Sequence, residues 1–163
     1  MPSLPLIAHT VLIGIGATAV MDVWLLVLAR LGVPTEGFAM VGRWVGHIAR
    51  GRFAHAAIAK APPLPFERGL GWLTHYLVGI AYAALLIAAL GLDWLAQPTV
   101  LPALVFGLAT VAAPWLVMQP AMGAGFLALK TPTPLKNCLR NLANHAVFGA
   151  GLYLAAAALA ASH

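Results

Sequence analysis

The chain has 163 residues, of which 62% are hydrophobic and only 8% are charged, and its formal net charge at pH 7 is +5. A soluble domain carries about 25% charged residues. So few charges could not cover a water-exposed surface, which excludes an ordinary soluble protein and predicts an integral membrane protein. The single cysteine, Cys138, excludes an internal disulfide bond and a metal–thiolate cluster.

A helix needs about 20 apolar residues to cross a bilayer, and four segments of the chain are long enough. These segments are residues 4–31, 69–91, 99–129 and 138–161. Backbone groups in lipid must be hydrogen-bonded internally, and the segments lack the alternation of barrel strands, so we expect helices. Pro114 and Pro120 should bend the third helix. The predicted fold class is all-α, an integral membrane four-helix bundle that forms one domain over residues 1–163.

The connection between the first and second helices has the pattern of an amphipathic helix lying at the membrane interface, over residues 37–53. Its apolar residues share one helical face, and Arg43, His47 and Arg50 share the other. We therefore predict that these three side chains contact anionic headgroups. The alternative is a lid whose basic stripe contacts an anionic ligand.

All nine Lys and Arg residues lie in or beside the connections that follow the first and third helices. The positive-inside rule predicts that this face is cytoplasmic and that both termini lie on the outer side. No basic residue precedes Arg30, so we interpret the first segment as a retained helix and not as a cleaved signal peptide. The basic charge is thus explained by topology, and we expect no nucleic-acid partner because no motif for one is present.

The second and fourth helices share a pattern in which a histidine is followed four residues later by a glycine. The pairs are His75 with Gly79 and His145 with Gly149. Positions i and i+4 share one helical face, so each glycine would let a neighbouring helix or a flat ligand approach beside the histidine. A likeness between “GATAVMDVW” and “GLATVAAPW” in the first and third helices extends the pattern to two αα-hairpin repeats, which their unequal offsets leave open.

Each predicted helix contains one polar or ionisable residue at a similar depth from its cytoplasmic end. These residues are Asp22, His75, Gln119 and His145. An aspartate at the centre of a membrane helix costs about 2.5–3.5 kcal/mol, and the span interiors contain no Lys or Arg that could neutralise it. Its remaining partners are the histidines, a cation or a proton. We therefore predict a ligand or proton site in the cytoplasmic half, with Asp22, His75 and His145 as candidate metal ligands.

Three functional classes remain open. In the first, the polar site binds or moves a cation, protons or a small solute. In the second, the protein binds haem b through His75 and His145 as axial ligands, with Arg43 and Arg50 on the propionates. In the third, the protein is a structural or accessory subunit whose polar residues connect its helices. No catalytic arrangement is visible in the sequence, which disfavours an enzyme but leaves membrane-enzyme chemistry open within the first class, and any cofactor would be a metal ion or haem b.

Four stretches, “GIGATAVMDVWLL”, “MVGRWVGHIARGRFAHAAIAKAPP”, “ERGLGWLTHYLVGIAYA” and “MQPAMGAG”, are similar to a bacterial family known only as a domain of unknown function. Its members are small four-span inner-membrane proteins, and the resemblance covers nearly the whole chain. It implies a multi-pass location in a bacterial cytoplasmic membrane and supplies no activity. The expected partners are the lipid bilayer, its anionic headgroups and a second copy of the chain in a homodimer.

Overall fold

A computed structural model describes residues 4–35 and 37–162, and every regular element within these residues is helical, which confirms the all-α prediction. Four helical segments are long and apolar enough to cross a membrane. These are Pro5–Arg30, Glu67–Ala96, Val100–Met122 and Pro134–Ala160. Compared with the predicted spans, the second and fourth begin earlier and the third ends earlier.

The helices follow one another as α1 (Leu4–Arg30), α2 (Phe38–Ile48), α3 (Glu67–Ala96), α4 (Val100–Ala109), the single turn α5 (Gln119–Met122) and α6 (Pro134–Ala160). α2 covers only part of the predicted interfacial helix, because the chain leaves the helical conformation after Ile48. α3 is kinked at Gly91, whose φ of 81° favours glycine.

The third membrane segment is not one regular helix. After α4, a wide helical turn runs over Pro114–Met118, in which the N–H of Gln119 donates to the carbonyl of Pro114, five residues back. Pro114 and Pro120 have no N–H for the usual bond to the residue four back, so a local irregularity of this kind is expected there. The segment ends where Gly123 adopts a φ of 97°, well before the predicted residue 129.

The chain divides into two compact units. Unit 1 consists of Met1–Val33, Tyr76–Thr110 and Asn144–His163, and unit 2 consists of Pro34–His75 and Val111–Ala143. Because α3 and α6 each contribute residues to both units, the polar residues that the sequence singled out are distributed between them. Asp22 and His145 belong to unit 1, whereas His75 and Gln119 belong to unit 2.

Small residues let the helices of unit 1 approach backbone to backbone. A Cβ added to Gly79 would collide with the Thr18 hydroxyl of α1. One added to Gly149 would lie 3.0 Å from the Cα of Leu104 and 3.2 Å from that of Gly107. The glycine of each His-x-x-x-Gly pattern therefore lies against a neighbouring helix, as membrane helices with small interface residues do.

In unit 2, α2 packs closely on the first turns of α3. A Cβ on Gly42 would collide with the carbonyl of Glu67, and one on Gly71 would collide with that of Phe38. The loop after α2 is held against the end of the third segment, because the N–H of His55 donates to the carbonyl of Ala121 at 2.8 Å. These contacts fix the positions of the side chains considered next.

Candidate functional site

Asp22 of α1 is bound by a tyrosine of α3. The Tyr76 hydroxyl donates to Oδ2 of Asp22 at 2.8 Å, and both residues are half-buried in unit 1. A hydroxyl donor satisfies part of the carboxylate in apolar surroundings, where an unsatisfied charge would be costly. The structure therefore gives Asp22 a neutral partner, Tyr76, that the sequence analysis did not name.

His145 of α6 contacts Thr110, which directly follows α4. Nδ1 of His145 lies 2.7 Å from the Thr110 hydroxyl, and that hydroxyl also lies 2.6 Å from the carbonyl of Gly107. The carbonyl can only accept, so the single hydroxyl proton of Thr110 points to Gly107, and Nδ1–H of His145 donates to Thr110. This arrangement leaves Nε2 of His145 as the nitrogen with a lone pair.

A third polar contact in unit 1 connects α1 with α6. The indole N–H of Trp24 donates to Oδ1 of Asn144 at 2.9 Å. Interhelical hydrogen bonds of this kind contribute about 0.6 kcal/mol each in a membrane. Each of these three polar side-chain pairs therefore joins two different helical segments of unit 1.

His75 lies among aromatic rings in unit 2. Its ring centroid is 4.4 Å from that of Phe38 and 6.0 Å from that of Trp72. The Phe38 ring is tilted by 38° to the imidazole and the Trp72 ring meets it edge-on at 71°, which are common arrangements of aromatic pairs. A ligand role for His75 stays a prediction.

Arg43 is bound within unit 2. Its guanidinium donates to both carboxylate oxygens of Glu67, at 2.9 and 2.8 Å, and to the carbonyls of Ala59 and Ala61, each at 3.2 Å. The hydrogen bonds and charge of Glu67 raise the pKa of Arg43. The guanidinium thus connects α2, the turn at 58–61 and α3. Binding of a headgroup or another anion stays a prediction. Of the three predicted contact residues, Arg50 is the one whose side chain is exposed.

His47, one turn after Arg43, also faces the interior of unit 2. Its Nε2 lies 3.0 Å from the carbonyl of Pro62 and therefore carries the proton, because the carbonyl can only accept. The ring of His55 packs on its edge, with the two ring centroids 5.0 Å apart and the planes at 65°. Burial, with the charges of Arg52 and His47, lowers the pKa of His55.

Several buried polar atoms of unit 2 have no hydrogen-bond partner among the described residues. They are both ring nitrogens of His55, Oε1 of Gln119, Nε1 of Trp115 and Nδ2 of Asn141. His55 and Gln119 are the most deeply buried, with 6% and 4% of their surface exposed. Most buried polar groups in proteins are paired, so each of these atoms requires an explanation, such as an ordered water molecule or a ligand.

Residues 11–159 match the model of a family described as “Protein of unknown function (DUF2938)”. The chain belongs to this family. No curated protein and no solved structure matches it. The family assignment confirms the resemblance found in the sequence and leaves the activity to be inferred from the site residues.

Within residues 4–35 and 37–162, no group of three or more His, Cys, Asp or Glu side chains could hold a metal ion. The candidate set of Asp22, His75 and His145 is divided between the two units, and metal or haem binding by these residues stays a prediction.

The sequence analysis missed His55, Trp115 and the partners Tyr76 and Thr110. His55 follows His47 by eight positions in “GHIARGRFAH”, and Tyr76 directly follows His75. A spacing of eight residues is close to two helical turns, but the chain between Ile48 and His55 is not helical, so only the folded loop could show that His55 returns to His47. A second histidine in the same basic connection was the one available signal.

Proposed function

We propose that this protein is a multi-pass protein of a bacterial cytoplasmic membrane that binds or moves protons, or a cation or small solute that exchanges with them, at Asp22. The proposal is supported by one observation above the others. Asp22 is an ionisable side chain within a membrane-length apolar helix, and the Tyr76 hydroxyl donates a hydrogen bond to its carboxylate. Ionisable residues in such helices are functional-site candidates by default.

The Asp22–Tyr76 pair can alternate between two protonation states. When the carboxyl group is ionised, the Tyr76 hydroxyl donates to Oδ2. A proton or a cation would neutralise the carboxylate and remove the cost of a charge in apolar surroundings. Proton-coupled carriers require a carboxylate of this kind, which binds and releases a proton or a cation within the membrane.

His145 supplies a second proton-accepting group in unit 1. Thr110 holds its Nδ1–H, so Nε2 retains the lone pair that can take up a proton. The Asp22 carboxylate and the His145 imidazole each contact a hydroxyl side chain, which orients the group. The proposed function assigns Asp22 as the primary site and His145 as an accessory proton acceptor.

The proposed orientation follows from the basic residues. All nine Lys and Arg lie in or beside the connections after α1 and after the third membrane segment. We infer that these connections are cytoplasmic and that both termini lie on the outer side, as the positive-inside rule requires.

Proton flux into liposomes tests the proposal. The protein is reconstituted into liposomes that enclose a pH-sensitive dye, and a potassium gradient with valinomycin supplies the membrane potential that drives uptake. We expect uptake above that of protein-free liposomes, loss of this uptake in Asp22→Asn and retention in the control Asp93→Asn, which alters an exposed aspartate after Gly91. The same assay repeated with Na⁺, K⁺ or Zn²⁺ gradients distinguishes protons from cations. Wild-type fluxes equal to those of protein-free liposomes in every gradient would contradict the proposal.

A structural or accessory role is the second candidate, and the paired side chains of unit 1 favour it. Tyr76 with Asp22, Thr110 with His145 and Trp24 with Asn144 each connect two helical segments. In this case Asp22→Asn and Tyr76→Phe would lower thermal stability by similar small amounts and leave every flux unchanged. Flux and melting temperature measured on the same variants therefore separate the two functions.

A further inference from the structure

The unpaired polar atoms of unit 2 point to a second site that is independent of the proposed role of Asp22. We propose that His47 and His55 together bind one divalent transition-metal ion, of the class of Zn²⁺, Ni²⁺ or Cu²⁺, with the side-chain oxygen of Gln119 as a further ligand. Imidazole nitrogens suit these ions. Three observations carry the proposal: the orientation of His47, the unmet hydrogen bonds of His55 and Gln119, and the distance between the two rings.

His47 is oriented as a metal ligand is. Its Nε2–H donates to the carbonyl of Pro62 at 3.0 Å, which fixes the tautomer and leaves the lone pair on Nδ1. Metal-binding histidines almost always donate their other ring N–H to a carbonyl, carboxylate or water, because this bond holds the ring in place and raises its basicity. Pro62 therefore has the position of an outer partner of the site.

His55 has an unmet need for partners. Only 6% of the surface of His55 is exposed, and neither ring nitrogen is hydrogen-bonded within the described residues. The backbone N–H of His55 donates to the carbonyl of Ala121, so the imidazole is held beside α5. α5 also contains Gln119, whose Oε1 is a buried acceptor without a described partner. In the proposed site a cation would accept the lone pairs of both the imidazole nitrogen and the amide oxygen.

The separation of the rings fits one shared ion. Two imidazoles whose nitrogens lie about 2.0–2.1 Å from a single tetrahedral ion have ring centroids about 5 Å apart. The centroids of His47 and His55 are 5.0 Å apart, with the planes at 65°. With Gln119 as third ligand, one tetrahedral position stays available for water, as in zinc sites that exchange ligands.

The positive charge of Arg52 near His55 opposes a cation, but Arg52 is exposed and its field is screened by water and salt. Buried water is the competing explanation for unpaired polar atoms, and a water molecule typically makes about three hydrogen bonds. Water would satisfy His55 and Gln119 without any preference for a metal, so metal binding distinguishes the two explanations.

Zinc binding to the detergent-purified full chain, freed of any affinity tag and stripped with a chelator, tests the proposal. We expect one Zn²⁺ per chain by equilibrium dialysis with elemental analysis, and at least tenfold weaker binding in His47→Gln and in His55→Gln. The matched control is His9→Gln, which removes a histidine of α1 in unit 1 and should leave the affinity unchanged. Asp22→Asn should also leave it unchanged, which separates this site from the proposed function.

Wild-type protein alone also decides the matter if the histidine variants do not fold. Co²⁺ bound at His47 and His55 should give the visible absorption of a tetrahedral site, and excess Zn²⁺ should abolish it. Less than a tenth of an ion bound per chain at saturating Zn²⁺, or equal binding in wild type and His55→Gln, would overturn the proposal and leave ordered water at these atoms.

Discussion

The two units differ in how they treat their buried polar side chains. In unit 1, Asp22, His145 and Trp24 each have a partner on another helical segment. In unit 2, the Arg43 guanidinium donates to the carboxylate of Glu67 and to backbone carbonyls. Every described buried side-chain nitrogen or oxygen that lacks a partner nevertheless belongs to this unit. Polar groups that are already paired stabilise the fold, whereas unpaired ones show where a ligand or ordered water is required. Polar pairs therefore join helical segments in unit 1, whereas unit 2 contains the unpaired buried atoms at which we propose a ligand site.

The largest effect is expected where small residues hold unit 1 together. Gly107→Leu places side-chain atoms into the backbone of Gly149, with which even a Cβ would collide. We expect a loss of about 3 kcal/mol or more in the free energy of unfolding, since overpacking a tight contact costs 1–3 kcal/mol and occasionally more. Thermal unfolding in detergent measures it.

The matched control for Gly107→Leu is Gly69→Leu, because a Cβ at Gly69 meets no described atom within 4 Å. The control should unfold within a few degrees of wild type. Equal destabilisation of both variants would show that helix propensity, and not the close contact with Gly149, accounts for the loss.

This contact also shows what the sequence could and could not predict. Small residues at helical spacing beside His75 and His145 predicted close helix contacts, because only glycine or alanine lets two backbones approach. The end of the third segment was predicted too late, since the apolar composition continues past Met122, while Gly123 and the prolines stop the helix. Composition reports what a segment tolerates, and the backbone conformation depends on individual residues.

The orientation of α2 could not be predicted for a different reason. An amphipathic pattern shows that Arg43 and His47 share a face, but it does not say what satisfies them. Headgroups and water can do so, and so can the carbonyls of Ala59 and Ala61 and the carboxylate of Glu67, which are distant in sequence. The structure shows that protein groups bind Arg43. The carbonyls among these groups reach Arg43 because the loop at 58–61 folds back onto α2.

A smaller effect is expected from the ion pair of unit 2. Glu67→Ala removes the two carboxylate oxygens that accept from the Arg43 guanidinium, one of which also accepts from the Leu64 N–H. We expect a lower melting temperature, and a smaller decrease for Glu67→Gln, which keeps an oxygen acceptor but loses the charge. Circular dichroism during heating, at low and high salt, measures both.

The control for the Glu67 variants is Arg68→Gln, which removes an exposed charge at the next position of α3. Exposed charges contribute little, so its melting temperature should match that of wild type. If Glu67→Ala and Arg68→Gln behave alike, the Arg43 pair does not hold α2 on α3, and the distinction between a bound Arg43 and an available Arg50 fails.

The smallest effect concerns the tautomer of His145. Thr110→Val removes the hydroxyl that accepts from Nδ1–H of His145 and donates to the carbonyl of Gly107, with little change in shape. A polar contact between membrane helices contributes about 0.6 kcal/mol, so the melting temperature should fall only slightly.

The sharper readout is ¹⁵N NMR of labelled histidine, in which the wild-type signal of His145 should be that of the Nδ1–H tautomer and should change in the variant. Thr10→Val, which removes a threonine bond to the carbonyl of Leu6 in α1, is the control and should leave that signal unchanged. An Nε2–H signal in the wild type would mean that the lone pair faces Thr110, and His145 would then have no free nitrogen with which to accept a proton from the Asp22 site.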